Sequence, residues 1–208
     1  MKRRVGILIS GRGSNMAALI AAATDAAFPA EIVLVLSNRP DATGLATAET
    51  AGVPTACIDH RDFGQDRPRH EAAIADALRE AAVEIVCLAG YMRLLTPYLV
   101  DAWAGRMLNI HPSLLPAFPG LNTHARALEA GVKLHGCTVH LVTREVDAGP
   151  ILAQAAVPVL ANDTEDTLAA RVLCQEHTIY PLALAAFAAE KSATQSPANA
   201  FLANPQAR

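Results

Sequence analysis

The residues Leu108-Asn109-Ile110-His111-Pro112-Ser113-Leu114-Leu115-Pro116 are the stretch of this chain best suited to chemistry. Alternate residues of a strand point to one side, so Asn109 and His111 share a face. Pro112 brings no N–H to the next rung of a ladder and ends the strand there. An amide and an imidazole are thereby presented together where a strand runs into a loop. Acyl transfer uses such a pair, a donor for a developing oxyanion and a carrier for a proton. In open α/β folds substrates bind beyond the carboxyl ends of strands, where these two residues would stand. The plain alternative for His111 is a strand-end histidine satisfied by a backbone carbonyl.

Three further places carry candidate chemistry. Ser10-Gly11-Arg12-Gly13-Ser14-Asn15 lies between an apolar run and a helical pattern. Glycines let backbone approach a ligand, and free amides at a helix N-terminus bind phosphate. The stretch is neither a Walker loop nor a full G-x-G-x-x-G, because Ala17 and Ala18 stand where the third glycine belongs. Its plain alternative is a tight turn capped by Ser14. Asp147, before Ala-Gly-Pro, reads alone as a turn former, and its interest lies in pairing with His111. Glu176, beside His177 in the last helical pattern, reads alone as a solvated helix glutamate. Arg12, Arg67 and Arg93 could serve anionic ligands. His124, His135 and His140 show no metal-ligand spacing, so no metal site is expected.

Positioning these groups falls to alternating strand and helix signals. Apolar runs at Val5–Ile9, Ile32–Leu36, Thr55–Ile58, Ile85–Leu88 and Met107–Ile110 predict five strands. Helical patterns over 15–26, 44–51 and 67–82, and a turn after Pro97, separate them. Continuously apolar strands between helices imply a parallel sheet covered on both faces. A helix over 124–130 follows, and the runs 137–142 and 151–157 are joined by a loop short enough for antiparallel pairing. The expectation is therefore an α/β fold, Rossmann-like and mostly parallel, with helices on both faces and an antiparallel C-terminal strand. Asp163 and Thr164 can cap a last helix reaching Ala189. Residues 1–190 read as one domain and 191–208 as an irregular tail rich in Ser, Asn, Gln and Pro.

Composition bounds the function. Apolar residues make up 52% and charged residues 18% of 208, which excludes an intrinsically disordered chain. A net charge of -3 gives no general drive toward nucleic acid or an anionic membrane surface. No apolar run approaches the roughly 20 residues that span a bilayer. Met1–Arg4 is basic and precedes an apolar stretch, but that stretch is short and ends in Gly11-Arg12-Gly13, so it reads as a first strand. Cys57, Cys87, Cys137 and Cys174 are far apart, which fits reduced cytosolic thiols and a cytoplasmic protein.

Seven segments in order carry a resemblance. They are Ile9–Asn15, Leu88–Arg93, Asn109–Pro116, Pro119–Leu121, His135–His140, Val146–Pro150 and Gln175–Pro181. With them the chain resembles the phosphoribosylglycinamide formyltransferase family, folate-dependent enzymes of purine synthesis, from Val5 to about Ala189. The resemblance implies transfer of a formyl group from 10-formyltetrahydrofolate to the amine of glycinamide ribonucleotide, without a metal. It implies Asn109, His111 and Asp147 as the catalytic trio. It implies Gly13, Ser14 and Asn15 at the substrate phosphate, Glu176 at the glycinamide end, and Leu173, Cys174 and Gln175 lining that side. For the folate pocket it implies Arg67, the run Met92, Arg93, Leu94 and Leu95, Asn109, and the run Thr143, Arg144, Glu145, Val146 and Asp147. It also implies glycinamide ribonucleotide and reduced folate as partners, no nucleic acid or membrane, and a monomer or weak homodimer. Two positions depart from the family pattern: Asn122 replaces a common histidine and Ala148 a common glycine.

Other formyl enzymes share N-x-H and a later Asp. Methionyl-tRNA formyltransferase should add a basic C-terminal domain, and formyltetrahydrofolate hydrolase an N-terminal regulatory one. A non-catalytic nucleotide-binding module would account for the Gly-rich loop but leaves Asn109, His111 and Asp147 without a role.

Overall fold

In the computed structural model the described residues are 1–189 and 201–202. The apolar run after Arg3 forms β1 (Arg3–Ile9), and its residues alternate between two cores. Val5, Ile7 and Ile9 face one core, and Leu8 faces the other. Both faces of this strand are therefore dry, as a covered parallel sheet requires. Four more parallel strands follow: β2 (Ala30–Ser37), β3 (Thr55–Cys57), β4 (Ile85–Leu88) and β5 (Met107–His111).

The connecting helices are α1 (Ser14–Ala23), α2 (Thr43–Thr50), α3 (Arg67–Glu80) and α4 (Pro97–Ala102), with a short 3-10 helix at His60–Phe63. α3 starts where expected, because the Asp66 side chain accepts from the Arg69 N–H and Pro68 presets the first turn. It stops short of the expected end, at Glu80, since Ala82 takes a positive φ of 48°.

Past β5 come α5 (Thr123–Glu129), β6 (Leu134–Leu141), β7 (Ile151–Pro158) and α6 (Glu165–Ala189). β6 pairs antiparallel with both β5 and β7, so the expected mixed sheet is present. β6 begins earlier than its apolar run suggests, taking in His135 and Gly136. Only glycine fits there, since a Cβ on Gly136 would lie 2.0 Å from the Ala155 carbonyl oxygen.

The strand order is β3-β2-β1-β4-β5-β6-β7-β8, where β8 (Phe201–Leu202) lies parallel to β7. The expected irregular tail is therefore interrupted by two paired residues, and 190–200 and 203–208 lie outside the described residues.

From β1 the chain first winds outward to β3 and then returns to β4 on the other side. The carboxyl ends of β1 and β4 thus flank the point where strand order reverses. In open α/β sheets that point opens the ligand crevice. α1, α5 and α6 pack on one face of the sheet. α3 and α4 pack on the other, around Ile74, Leu78, Leu99 and Trp103. No described helix is long and apolar enough to cross a membrane.

Candidate active site

Two strand ends and one connection build the reactive corner. β5 stops at His111, before Pro112, as the sequence requires. Its antiparallel register sets Asn109 opposite His140 and His111 opposite Thr138. The β6–β7 connection then returns over the end of β5. Its closure depends on Gly149, where a Cβ would stand 1.8 Å from the Leu141 carbonyl oxygen. Asp147 sits in that connection with φ 55°, a conformation Asp tolerates better than most residues.

The four side chains interlock. His140 is buried, and burial holds it below the usual histidine range. The neutral ring bonds the Leu141 carbonyl through Nδ1 at 2.9 Å, so Nδ1 carries the proton. Its Nε2 is then an acceptor, 3.1 Å from the Asn109 amide nitrogen. That bond fixes the Asn109 amide and leaves its second N–H for another acceptor. His111 donates from Nε2 to the Phe118 carbonyl at 3.0 Å. Its Nδ1 faces Asp147 Oδ2 at 3.5 Å, while Asp147 Oδ1 lies 3.7 Å from His140 Nε2. The Gly120 N–H donates to Asp147 Oδ2 at 2.8 Å and ties the two flanking loops together. The carbonyl alternative for His111 is thus half right: one nitrogen is satisfied by Phe118, and the other edge points to a carboxylate.

A second corner is built from backbone. Gly13 is the N-cap of α1 at φ 69°, and no side chain caps the helix. Ser14 is the first helical residue and not the cap. The N–H groups of the first turn have no partner within the helix, an arrangement that can receive an anion. Gly44 lets α2 press on this loop, with its N–H 3.1 Å from the Gly11 carbonyl. Asn15 donates to Glu176 Oε2 at 2.6 Å. Burial raises the Glu176 carboxyl, and the Asn15 bond works in the other direction. Asn15 Oδ1 and Gln175 Oε1 are buried and have no partner among the described residues. Leu173 and Cys174 lie on the preceding turn, half-buried and exposed.

The residues expected around folate lie on the loop after β4 and on the β6–β7 connection, with Arg67 at the start of α3. The Met92 N–H donates to Ser10 Oγ at 2.8 Å. The buried Glu71 carboxylate accepts from the Thr96 N–H at 2.7 Å and the Leu99 N–H at 3.3 Å. It thereby holds the loop containing Met92, Arg93, Leu94 and Leu95. Arg67 is exposed one helical turn before Glu71. Met92, Leu94 and Val146 are exposed apolar side chains, at 67%, 61% and 58%. Thr143 donates to the Glu145 carbonyl at 3.0 Å and shapes the facing loop. Arg144 is committed to Asp101 by two bonds, at 2.9 and 2.6 Å.

Sequence reasoning missed His140, set aside as a poor metal ligand. Its role follows from ladder register, and no spacing within the sequence exposes it. It also missed the pair His124 and His135, whose rings meet at 3.2 Å beside Phe118. Burial lowers both, His135 to about 4. Among the described residues no three His, Cys, Asp or Glu side chains are grouped to hold a metal ion.

Comparison with known proteins decides the family. The formyl transferase family matches residues 3–184. The chain belongs to the formyl transferase family. Within that family it is 47% identical over 182 residues to the phosphoribosylglycinamide formyltransferase of Escherichia coli, covering 88% of this chain and 85% of that one. It is 51% identical over 183 residues to the trifunctional purine biosynthetic protein adenosine-3 of Gallus gallus. That match covers 88% of this chain and spans 18% of the length of the chicken relative. The crystal structure of phosphoribosylglycinamide formyltransferase from Brucella melitensis superposes with a TM-score of 0.87 at 60% identity, covering 92% and 98% of the two chains. The α/β formyltransferase fold expected from the sequence is therefore the fold observed.

Proposed function

We propose that this chain transfers the formyl group of 10-formyltetrahydrofolate to the amine of glycinamide ribonucleotide, giving formylglycinamide ribonucleotide for purine synthesis. The observation that carries the proposal is the convergence of Asn109, His111, His140 and Asp147 at the same carboxyl-terminal edge of the sheet as an uncapped helix N-terminus. One corner suits a developing oxyanion and its protons, and the other suits a phosphate monoester. Residues 1–190 act as one formyltransferase domain in this reading.

The phosphate docks on the amides of Gly13, Ser14 and Asn15. Glu176 orients the glycinamide end, and Leu173, Cys174 and Gln175 line that side. The folate lies between Met92–Leu95 and Thr143–Asp147, held largely by backbone, with Arg67 at its outer end. The substrate's amine attacks the formyl carbon, and a tetrahedral intermediate carries negative charge on the formyl oxygen. The free N–H of Asn109 donates to that oxygen, and a protonated His111, paired with Asp147, stabilises it. The attacking nitrogen loses a proton, and the folate nitrogen gains one and leaves. A proton shared between His111 and Asp147, or passed through water, connects these two events. No metal is required, because the formyl group arrives activated on the folate. The functional partners are the two substrates.

An absorbance assay of deformylation tests the proposal. Loss of 10-formyltetrahydrofolate should require glycinamide ribonucleotide and match the formylated product mole for mole. Equal deformylation without the amine would point to a hydrolase, and no deformylation would refute the enzyme.

A further inference from the structure

Ser10 is buried where β1 ends, one residue before the phosphate loop. Its hydroxyl donates to Asn38 Oδ1 at 2.6 Å and accepts from the Met92 N–H at 2.8 Å. Its own N–H donates to the Gly90 carbonyl at 3.1 Å. Asn38, buried at the end of β2, is held in turn by the His60 ring, whose Nδ1 lies 2.8 Å from the Asn38 carbonyl oxygen. One small side chain thus ties three strand ends together at the switch point. On one side the chain runs directly into Gly11–Asn15. On the other, Met92 opens the loop Met92–Leu95.

We propose that the Ser10 hydroxyl couples the two ligand sites, so that filling the phosphate loop strengthens folate binding and the reverse. The inference rests on the site assignments made above and adds a positioning role for a residue that touches neither ligand. A hydroxyl has one proton and accepting lone pairs, and here both capacities are used. A shift of the loop after Ser10 around a phosphate therefore carries with it the acceptor that holds the Met92 N–H. The Met92–Leu95 loop is then moved toward its ligand-bound position before the second ligand arrives, which is positive coupling. Linkage makes the effect reciprocal. No other side chain among the described residues bonds the 90–92 turn and the end of β2 at once.

Calorimetry with tetrahydrofolate, which cannot transfer a formyl group, and glycinamide ribonucleotide reads the coupling. The wild-type chain should bind tetrahydrofolate about 5-fold or more tightly when glycinamide ribonucleotide is saturating. Ser10→Ala should bring that ratio close to one. Asn38→Leu, which removes the acceptor of the Ser10 proton together with the Asn38 Nδ2 contact to His60, should lower the ratio as well, and Asn38→Asp, which keeps an acceptor but not that amide nitrogen, should preserve it. A merely structural role would weaken both ligands together and leave the ratio unchanged. The inference is overturned if the wild-type ratio is one, or if Ser10→Ala keeps the full ratio. Should Ser10→Ala not fold, an Asn38→Leu ratio equal to wild type overturns it. Failure of the wild-type chain to bind either ligand would instead count against the proposed function.

Discussion

Between β1 and α1 the chain offers backbone amides around Gly13, whereas between β5 and β7 it offers side chains: Asn109, His111, His140 and Asp147. The first corner needs one glycine at φ 69° and an uncapped helix, and three consecutive residues supply it. The second needs two antiparallel neighbours in register and a loop folded back over them. Recognition of a fixed anion is served by dipoles that never change protonation. Moving protons needs groups that do. In the proposed reading the start of the parallel half supplies the phosphate cradle, and the junction of β5 with the antiparallel strands supplies the reacting side chains.

The sharpest way to break that division is His111→Ala. Turnover should fall by about 1000-fold, within the range of a positioned acid–base group. Affinity for glycinamide ribonucleotide should stay within about twofold, since the phosphate cradle is backbone. Near-normal turnover at saturating substrates would remove His111 from the chemistry. Asn109→Ala comes next, with an expected loss of about 100- to 1000-fold, as for a single oxyanion donor. Steady-state kinetics should show that loss in turnover, and a loss confined to the Michaelis constant would recast Asn109 as a binding residue.

Gly13→Val probes the other half. A β-branched residue at φ 69° is strained, and its Cβ would stand 3.1 Å from the Met16 methyl. Strain of about 1–3 kcal/mol that displaces the loop corresponds to roughly 5- to 150-fold in phosphate-ester binding. Folate binding should change much less, and equal losses for both ligands in calorimetry would dissolve the distinction between the corners.

The smallest effect concerns pH. Burial lowers His124, His135 and His140, with His135 near 4. The unfolded chain binds these protons near pH 6.5, and the folded chain binds them only at lower pH, about 4 for His135. Their contribution is present above about 6.5 and is lost as the pH falls, the His135 part of it toward 4. The melting temperature should therefore drop by several degrees across that window, at about 2–4 °C per kcal/mol. His135→Leu should flatten the drop, and a drop of undiminished size would place its origin in other groups.

Much of this was legible from residues alone. Buried β1, β4 and β5 announce themselves as apolar runs, and Gly11-Arg12-Gly13 as the turn into a helix. Asn109 and His111 share a strand face by simple alternation. His140 was not legible, because it reaches Asn109 only through the β5–β6 register. Nor was the early start of β6, which turns on a glycine admitting the neighbouring backbone. The holding of Arg144 by Asp101 and of Thr96 by Glu71 joins segments far apart in the chain. Local patterns carry strands and turns, and cross-strand register carries the site.

Asp147 tests the central claim most directly, since by sequence it is a turn former and by position it faces two histidines. Asp147→Asn keeps the size and the tolerance for positive φ while removing the charge. The measurement is the single-turnover rate of formyl transfer with both substrates saturating. We expect that rate to fall by about 100-fold or more, with the melting temperature and both ligand affinities unchanged. A rate equal to wild type would leave Asp147 as a turn residue and contradict the division of labour between the two halves.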